Sequence, residues 1–336
     1  MGIVHCLRET LQSIDRLQGV PQTPAVSPKD RVERTLERAL KLSTSPDTAP
    51  RLAEALRYAV FSGGGRARPR LVFAVARACG GGPSAVVDAA AAAVELLHCA
   101  SLVHDDLPCF DNASMRRGRP SVHHAYGTEI AVLVGDGLIV SAFEVLAEGC
   151  RKEPAMLAPL VSAVAHGVGA ARGIVAGQAW ESEPMLDLHA YHRAKTGALF
   201  EAAVRVGAIA GSGEPEAWAP LGRLIGEAYQ IADDIADVSG TMTSLGKPVG
   251  QDVRLDRPNA VKSLGIEGAH ARLTRLFRQM RDVAPGSSER EVFLRWVDGL
   301  CTRLLPARRS ELNHEPNREL NREPTVAPLF GALATA

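Results

Sequence analysis

The chain has 336 residues, in which 38 Lys and Arg balance 38 Asp and Glu, so the basic excess of a nucleic-acid-binding protein is missing. That length supplies a core for one large domain or two small ones. Cys6, Cys79, Cys99, Cys109, Cys150 and Cys301 form no C-x-x-C pair and several stand in apolar runs, the usage of reduced thiols in a cytoplasmic protein. Met1 to Val20 is broken by His5, Arg8, Glu9, Asp15 and Arg16, so no signal peptide is expected. The apolar runs from Val86 to Val103 and from Ile130 to Phe143 contain Asp88, Glu95, His98 and Asp136, and no membrane span is expected.

In chain order, residues 1–29 read as an N-terminal extension, rich in proline toward its end. Alanine, leucine, glutamate and arginine dominate the chain beyond it, and alternating β-branched stretches are missing, so the fold class is all-α. Helices are predicted over 30–42, 51–61, 67–79, 84–106, 128–149, 154–178, 187–211, 215–239, 258–264, 269–283 and 288–305. Gly80-Gly81-Gly82-Pro83, Gly118-Arg119-Pro120, Gly211-Ser212-Gly213 and Gly246-Lys247-Pro248 punctuate them. Beyond Pro306 the chain turns polar, and 307–336 reads as a flexible tail.

Two aspartate clusters stand in this apolar background: Asp105-Asp106-Leu107-Pro108-Cys109-Phe110-Asp111 and Asp233-Asp234-Ile235-Ala236-Asp237. Close carboxylates repel and stay ionised only when a cation compensates them, and hard oxygen ligands suit Mg²⁺. Asp233 and Asp237 lie about 40° apart on one helix face, with Gln230 one turn earlier. Asp105 and Asp111 would diverge by about 120° on a continuous helix, and Pro108 forbids one, so the helix should end near Asp106 and a turn should carry Asp111 back. One such cluster reads equally well as a solvated helix end; two facing one cavity would hold several ions and, through them, a diphosphate.

Basic groups answer the carboxylates. Arg116 and Arg117 follow Asp111, and Gly63-Gly64-Gly65-Arg66-Ala67-Arg68-Pro69 feeds arginines from a glycine turn into a helix, both suited to oxyanions. His98 precedes Asp105 by seven residues, about 20° away on the same face and roughly 10 Å along the axis. Lys195-Thr196 and Lys247 lie near the same motifs.

Together these stretches resemble the trans-isoprenyl diphosphate synthase (polyprenyl synthetase) family over about residues 30–300. His104 to Asp111 with Arg116-Arg117-Gly118 and Pro120 is similar to its first aspartate-rich motif, and Gly177-Gln178, Lys195-Thr196, Gln230 to Asp237 and Gly246 to Asp252 match its later motifs in order and spacing. Gly177-Gln178-Ala179-Trp180-Glu181 is similar to bacterial carotenoid-pathway geranylgeranyl diphosphate synthases. The resemblance implies one large helical bundle around a central cavity over 30–306, a homodimer, and about three Mg²⁺ ions per active site, with Mn²⁺ as the alternative. It implies metal ligation by Asp105, Asp106, Asp111, Asp233, Asp234 and Asp237, and an allylic diphosphate held also by Arg116, Lys195 and Lys247. Isopentenyl diphosphate would be placed by Arg68, His98 and Arg117, while Thr196 and Gln230 orient their dipoles toward the allylic cation.

The family's usual turn lysine is Gly65 here, with Arg66 as its candidate substitute, and Ala113, Ser114, Glu181 and Arg257 also depart from the pattern. Ala100 and Ser101 occupy the positions that form the floor of the family's chain pocket; both are small, which implies a geranylgeranyl rather than a farnesyl product. A class I terpene cyclase is the enzymatic rival, since Asn259, Ser263 and Glu267 fit that class's second metal motif, but Gly265 weakens the helix required and aromatic residues make up only 4% of the chain. A non-catalytic subunit of a prenyl synthase is the rival outside enzymes.

Overall fold

The computed structural model describes residues 27–184, 190–191, 193–239, 259–286 and 289–304. Twelve α-helices occur among them: α1 Pro28–Leu42, α2 Pro50–Val60, α3 Ala67–Ala78, α4 Ala85–Asp105, α5 Val122–Tyr126, α6 Thr128–Gly149, α7 Leu157–Val168, α8 Ile174–Trp180, α9 Ala198–Ala210, α10 Pro215–Ser239, α11 Ala260–Val283 and α12 Arg290–Leu304. A two-stranded hairpin, β1 Met115–Arg116 with β2 Arg119–Pro120, lies between α4 and α5.

The central element is α4, which starts where the Ser84 hydroxyl accepts from the Val87 amide at 3.2 Å. It is apolar nearly all round, from Val86 through Val94 to Val103, and a helix of that pattern is stable only when surrounded. Helix α6 packs along it most extensively, and α1, α2, α3 and α9 cover other sides; α9 in turn holds α7 and α10, and α10 carries α11. Helices α4 and α6 are long and apolar enough to cross a membrane by length and composition, but 78% of the apolar stretch of α4 is buried in the bundle, the position of a core helix, against 44% for α6.

The all-α expectation is met, with local differences. The helix expected over 154–178 divides into α7 and α8, because Gly169 leaves helical geometry at ψ 168° and Gly173 lies so close to the end of α7 that a Cβ there would be 2.4 Å from Val168. The helices expected over 258–264 and 269–283 form one element, α11, kinked at Gly265 with φ 69°. Helix α5 and the hairpin are additions to the expected elements, being too short for a periodic signal. Residues before 27 and after 304, Lys247, Asp252 and Arg257 lie outside the described residues.

Candidate active site

Helix α4 ends at Asp105, and the chain then folds back: the Asp111 amide donates to the Asp105 carbonyl at 3.0 Å and the Ala113 amide to that of Asp106 at 3.2 Å. Asp111 is thereby returned to the helix end, as the spacing with Pro108 required. Burial pushes the Asp105 carboxyl up; Lys195 draws it down, Asp111 and Glu181 push it up and Arg116 draws it down. Its Oδ1 is buried without a hydrogen-bond partner.

The hairpin after Asp111 turns through Arg117 and Gly118, at φ 53° and 75°, and sends consecutive arginines to different targets. Arg116 grips Asp106 with Nε at 3.0 and 3.2 Å from its two oxygens, with a second contact through Nη2, and stands 3.8 Å from Asp105. Arg117 donates to the carbonyl of Gly63, and its guanidinium occupies the space a Cβ on Gly64 would need, at 2.7 Å. Gly64 has φ 114°, a second reason for glycine there.

The glycine turn and α3 then divide Arg66 from Arg68. Arg66 sits at φ 47° and is 3% exposed; it binds Glu33 at 2.9 and 3.2 Å, Glu95 at 2.8 Å and the Val60 carbonyl at 2.7 Å. The expectation that Arg66 grips a diphosphate therefore gives way to a structural role: its donors are committed to neutralising Glu95, buried on α4. Arg68 stacks over the Phe200 ring at 4.2 Å, and its Nε is buried without a hydrogen-bond partner. Burial pulls the His98 imidazole well below its usual range, and Arg68, Arg117, Arg116 and Arg66 lower it further, which keeps it neutral. Arg68 and Arg117 thus both act electrostatically on His98, and Arg68 keeps a buried donor without a hydrogen-bond partner, the chemistry an oxyanion would meet.

On the other side, a π-helical turn at Arg193–Gly197 joins the two aspartate clusters. Lys195 Nζ lies 3.5 Å from Asp105 and also contacts Glu181, whereas the neighbouring Thr196 donates to the Gln230 carbonyl oxygen at 2.6 Å. Gln230 donates onward to Asp234 at 2.8 Å. The bulge fits because α8 and α10 present glycines to it: a Cβ on Gly177 would meet the Lys195 backbone at 2.4 Å, and one on Gly226 would meet Gly197 at 2.5 Å.

Two aspartates expected as metal ligands are otherwise engaged. Asp106 gives both oxygens to Arg116, and Asp234, 1% exposed, accepts from Gln230 and from the Ala260 amide at 2.7 Å, which ties α10 to the start of α11. Asp105, Asp111, Asp233 and Asp237 are the other aspartates of the two clusters and stay candidate ligands. Asp233 is exposed and Asp237 buried. Among the described residues no three His, Cys, Asp or Glu side chains are already grouped as a metal cage. The donor set nonetheless suits a hard cation: like charges at Asp105 and Asp111, and a buried carboxylate oxygen with no hydrogen bond.

Asn259 caps α11 through a 2.8 Å bond from the Val261 amide, and the Ser263 hydroxyl donates to the Asn259 carbonyl at 3.2 Å. With the kink at Gly265 before Glu267, this segment is a helix start, which explains the Asn-Ser-Glu match without a metal. Ser101 shares the face of His98 and Asp105 and is half-buried, while Ala100 is 2% exposed. Sequence reasoning missed the Glu181 contact to Lys195; the signal was the carboxylate following the Gly-Gln pair.

The sequence pattern of the polyprenyl synthetase family matches residues 49–290. The chain is 54% identical over 243 residues to a geranylgeranyl diphosphate synthase of Rhodobacter capsulatus, covering 72% of this chain and 84% of that protein. It is 53% identical over 245 residues to a geranylgeranyl diphosphate synthase of Cereibacter sphaeroides, covering 73% and 85%. The crystal structure of a geranyltransferase from Helicobacter pylori, complexed with magnesium and isoprenyl diphosphate, superposes with a TM-score of 0.69 at 26% identity, covering 84% of this chain and all of that one, 100%.

Proposed function

The chain belongs to the polyprenyl synthetase family, and we propose that it is a prenyltransferase that condenses isopentenyl diphosphate head to tail with an allylic diphosphate, making geranylgeranyl diphosphate. The observation that carries the reading is the π turn: Lys195 stands 3.5 Å from Asp105 of the first cluster, and its neighbour Thr196 bonds Gln230, which bonds Asp234 of the second, as two clusters serving one diphosphate would require. Arg68, Arg117 and His98 are the basic groups for the second diphosphate of such a reaction, supported by the unpaired buried Arg68 donor.

Asp105, Asp111, Asp233 and Asp237 would hold Mg²⁺, about three ions with Mn²⁺ as the alternative, whose Lewis acidity stabilises the charge of a departing diphosphate. Lys195 and Arg116 add fixed positive charge beside the same carboxylates, with Lys247 as a further candidate. Arg68 and Arg117 hold the isopentenyl diphosphate, and neutral His98 offers it a hydrogen bond without requiring protonation. Thr196 and Gln230 present fixed dipoles toward the allylic carbons. The enclosing helices exclude water that would quench an allylic cation. The leaving diphosphate is itself the base that takes the proton from the condensed intermediate.

Ser101, on the face of His98 and Asp105, leaves the tail pocket open far enough for the geranylgeranyl chain. The free thiols Cys79, Cys99, Cys109, Cys150 and Cys301 fit a cytoplasmic enzyme. Val132, Leu133 and Val140 on α6 are exposed and apolar, which fits a homodimer built on that helix. The test is incubation of purified protein with Mg²⁺, labelled isopentenyl diphosphate and dimethylallyl, geranyl or farnesyl diphosphate. Geranylgeranyl diphosphate from these primers supports the proposal; absence of a prenyl product, or a farnesyl end product, refutes it.

A further inference from the structure

We propose, resting on the prenyltransferase reading, that Glu181 is the positioning residue for Lys195, with Tyr191 and Gln178 fixing the carboxylate from behind. Glu181 follows α8, and the donors to it include Lys195 Nζ, the Tyr191 hydroxyl at 2.6 Å and Gln178 Nε2 at 3.2 Å. Lys195 extends from Glu181 toward Asp105, 3.5 Å from its Oδ1, and its ammonium also lies 5.7 Å from the centre of the Tyr191 ring. Of the ammonium's three donors, one is taken by Glu181 and one faces Asp105, which leaves the third for an oxyanion.

A lysine side chain has four rotatable bonds, and an ammonium held only by Asp105 would follow that carboxylate wherever its other partners drew it. Glu181 supplies an anchor that the aspartate cluster does not share. The same packing delivers both partners: Gly177 lets α8 approach within contact of the Lys195 backbone, and Glu181 lies four residues further along. Tyr191 is 6% exposed, so its hydroxyl is a fixed donor. Glu181 therefore acts through Lys195 on the allylic diphosphate and has no part in the isopentenyl pocket of Arg68, Arg117 and His98.

The test is a double-mutant cycle of Glu181→Gln with Lys195→Met on the full chain with Mg²⁺, measuring kcat and KM for each substrate. Glu181→Gln alone is expected to raise the KM for the allylic diphosphate about tenfold and lower kcat, a loss of positioning, with the KM for isopentenyl diphosphate unchanged. Glu181→Asp, which keeps the charge, is expected to recover most of that loss. In the Lys195→Met background Glu181→Gln should add less than about twofold, because the group it acts through is gone. Independent, multiplying effects of the two substitutions, an equal rise in both KM values or a changed Mg²⁺ requirement would each overturn the proposal. Should Glu181→Gln fail to fold, Tyr191→Phe removes one hydroxyl and is expected to raise the allylic KM about threefold; no change overturns the clamp. An unmutated protein that makes no prenyl product contradicts the enzyme assignment instead.

Discussion

Replacing Ser101 by Phe should shorten the product. Ser101 stands four residues before Asp105, about 6 Å deeper along α4 and about 40° away on its face. Its hydroxyl donates only to the His98 carbonyl of its own helix, at 2.8 Å, so its loss breaks no bond between elements. The position is half-buried, so an aromatic ring there need not be forced wholly into the core. Fitting a geranylgeranyl tail past that ring would cost about 1–3 kcal/mol of overpacking. At 1.4 kcal/mol per tenfold, the ratio of geranylgeranyl to farnesyl product should fall by roughly 5- to 140-fold. Ala100→Phe is a sharper intrusion: Ala100 is 2% exposed and one turn before His104, whose ring lies where a Cβ on Gly135 of α6 would be. That variant should lower the unfolding free energy by about 1–3 kcal/mol as well as shorten the product. Chromatography of dephosphorylated products, with chemical denaturation of each variant, reads both effects. Undiminished geranylgeranyl output from an active Ser101→Phe enzyme would refute the steric reasoning and place the pocket floor on another helix.

Gly65→Lys should lower the KM for isopentenyl diphosphate about tenfold, or about 1.4 kcal/mol, and leave that for the allylic substrate unchanged, since a Cβ at Gly65 meets no atom within 4 Å; steady-state kinetics with each substrate varied would show it. Arg66→Met should destabilise by about 3–5 kcal/mol, because Glu95 is left buried and uncompensated, and denaturant titration measures it. His98, lowered chiefly by burial, stays neutral in the folded protein while its unfolded counterpart protonates as pH falls below about 6.5. Stability should consequently fall with acidification below that pH, by up to about 1.4 kcal/mol per unit from this group, and His98→Gln should remove that part of the slope in melts between pH 5 and 7.

The chemistry of the site was legible because it depends on spacing. Asp105 and Asp111 cannot share a helix face across Pro108, and the chain folds back as that spacing demands. Arg66 and Arg68 were not separable by pattern: two arginines beside a glycine turn look alike until the left-handed backbone at Arg66 sends one toward Glu33 and Glu95. Asp106 and Asp234 look like ligands in sequence for the same reason, since their partners Arg116 and the Ala260 amide are brought in by tertiary structure. The π turn at Arg193–Gly197 leaves no periodic mark; its condition is the paired approach of Gly177 and Gly226 from two other helices.

The most direct measurement of whether the two aspartate clusters act on one diphosphate is the turnover of Asp105→Ala and Asp233→Ala at saturating Mg²⁺ and both substrates. Each removes a charge-bearing ligand used as the diphosphate departs, and kcat should fall at least roughly a thousandfold in both. Near-normal turnover in either folded variant would contradict the shared site.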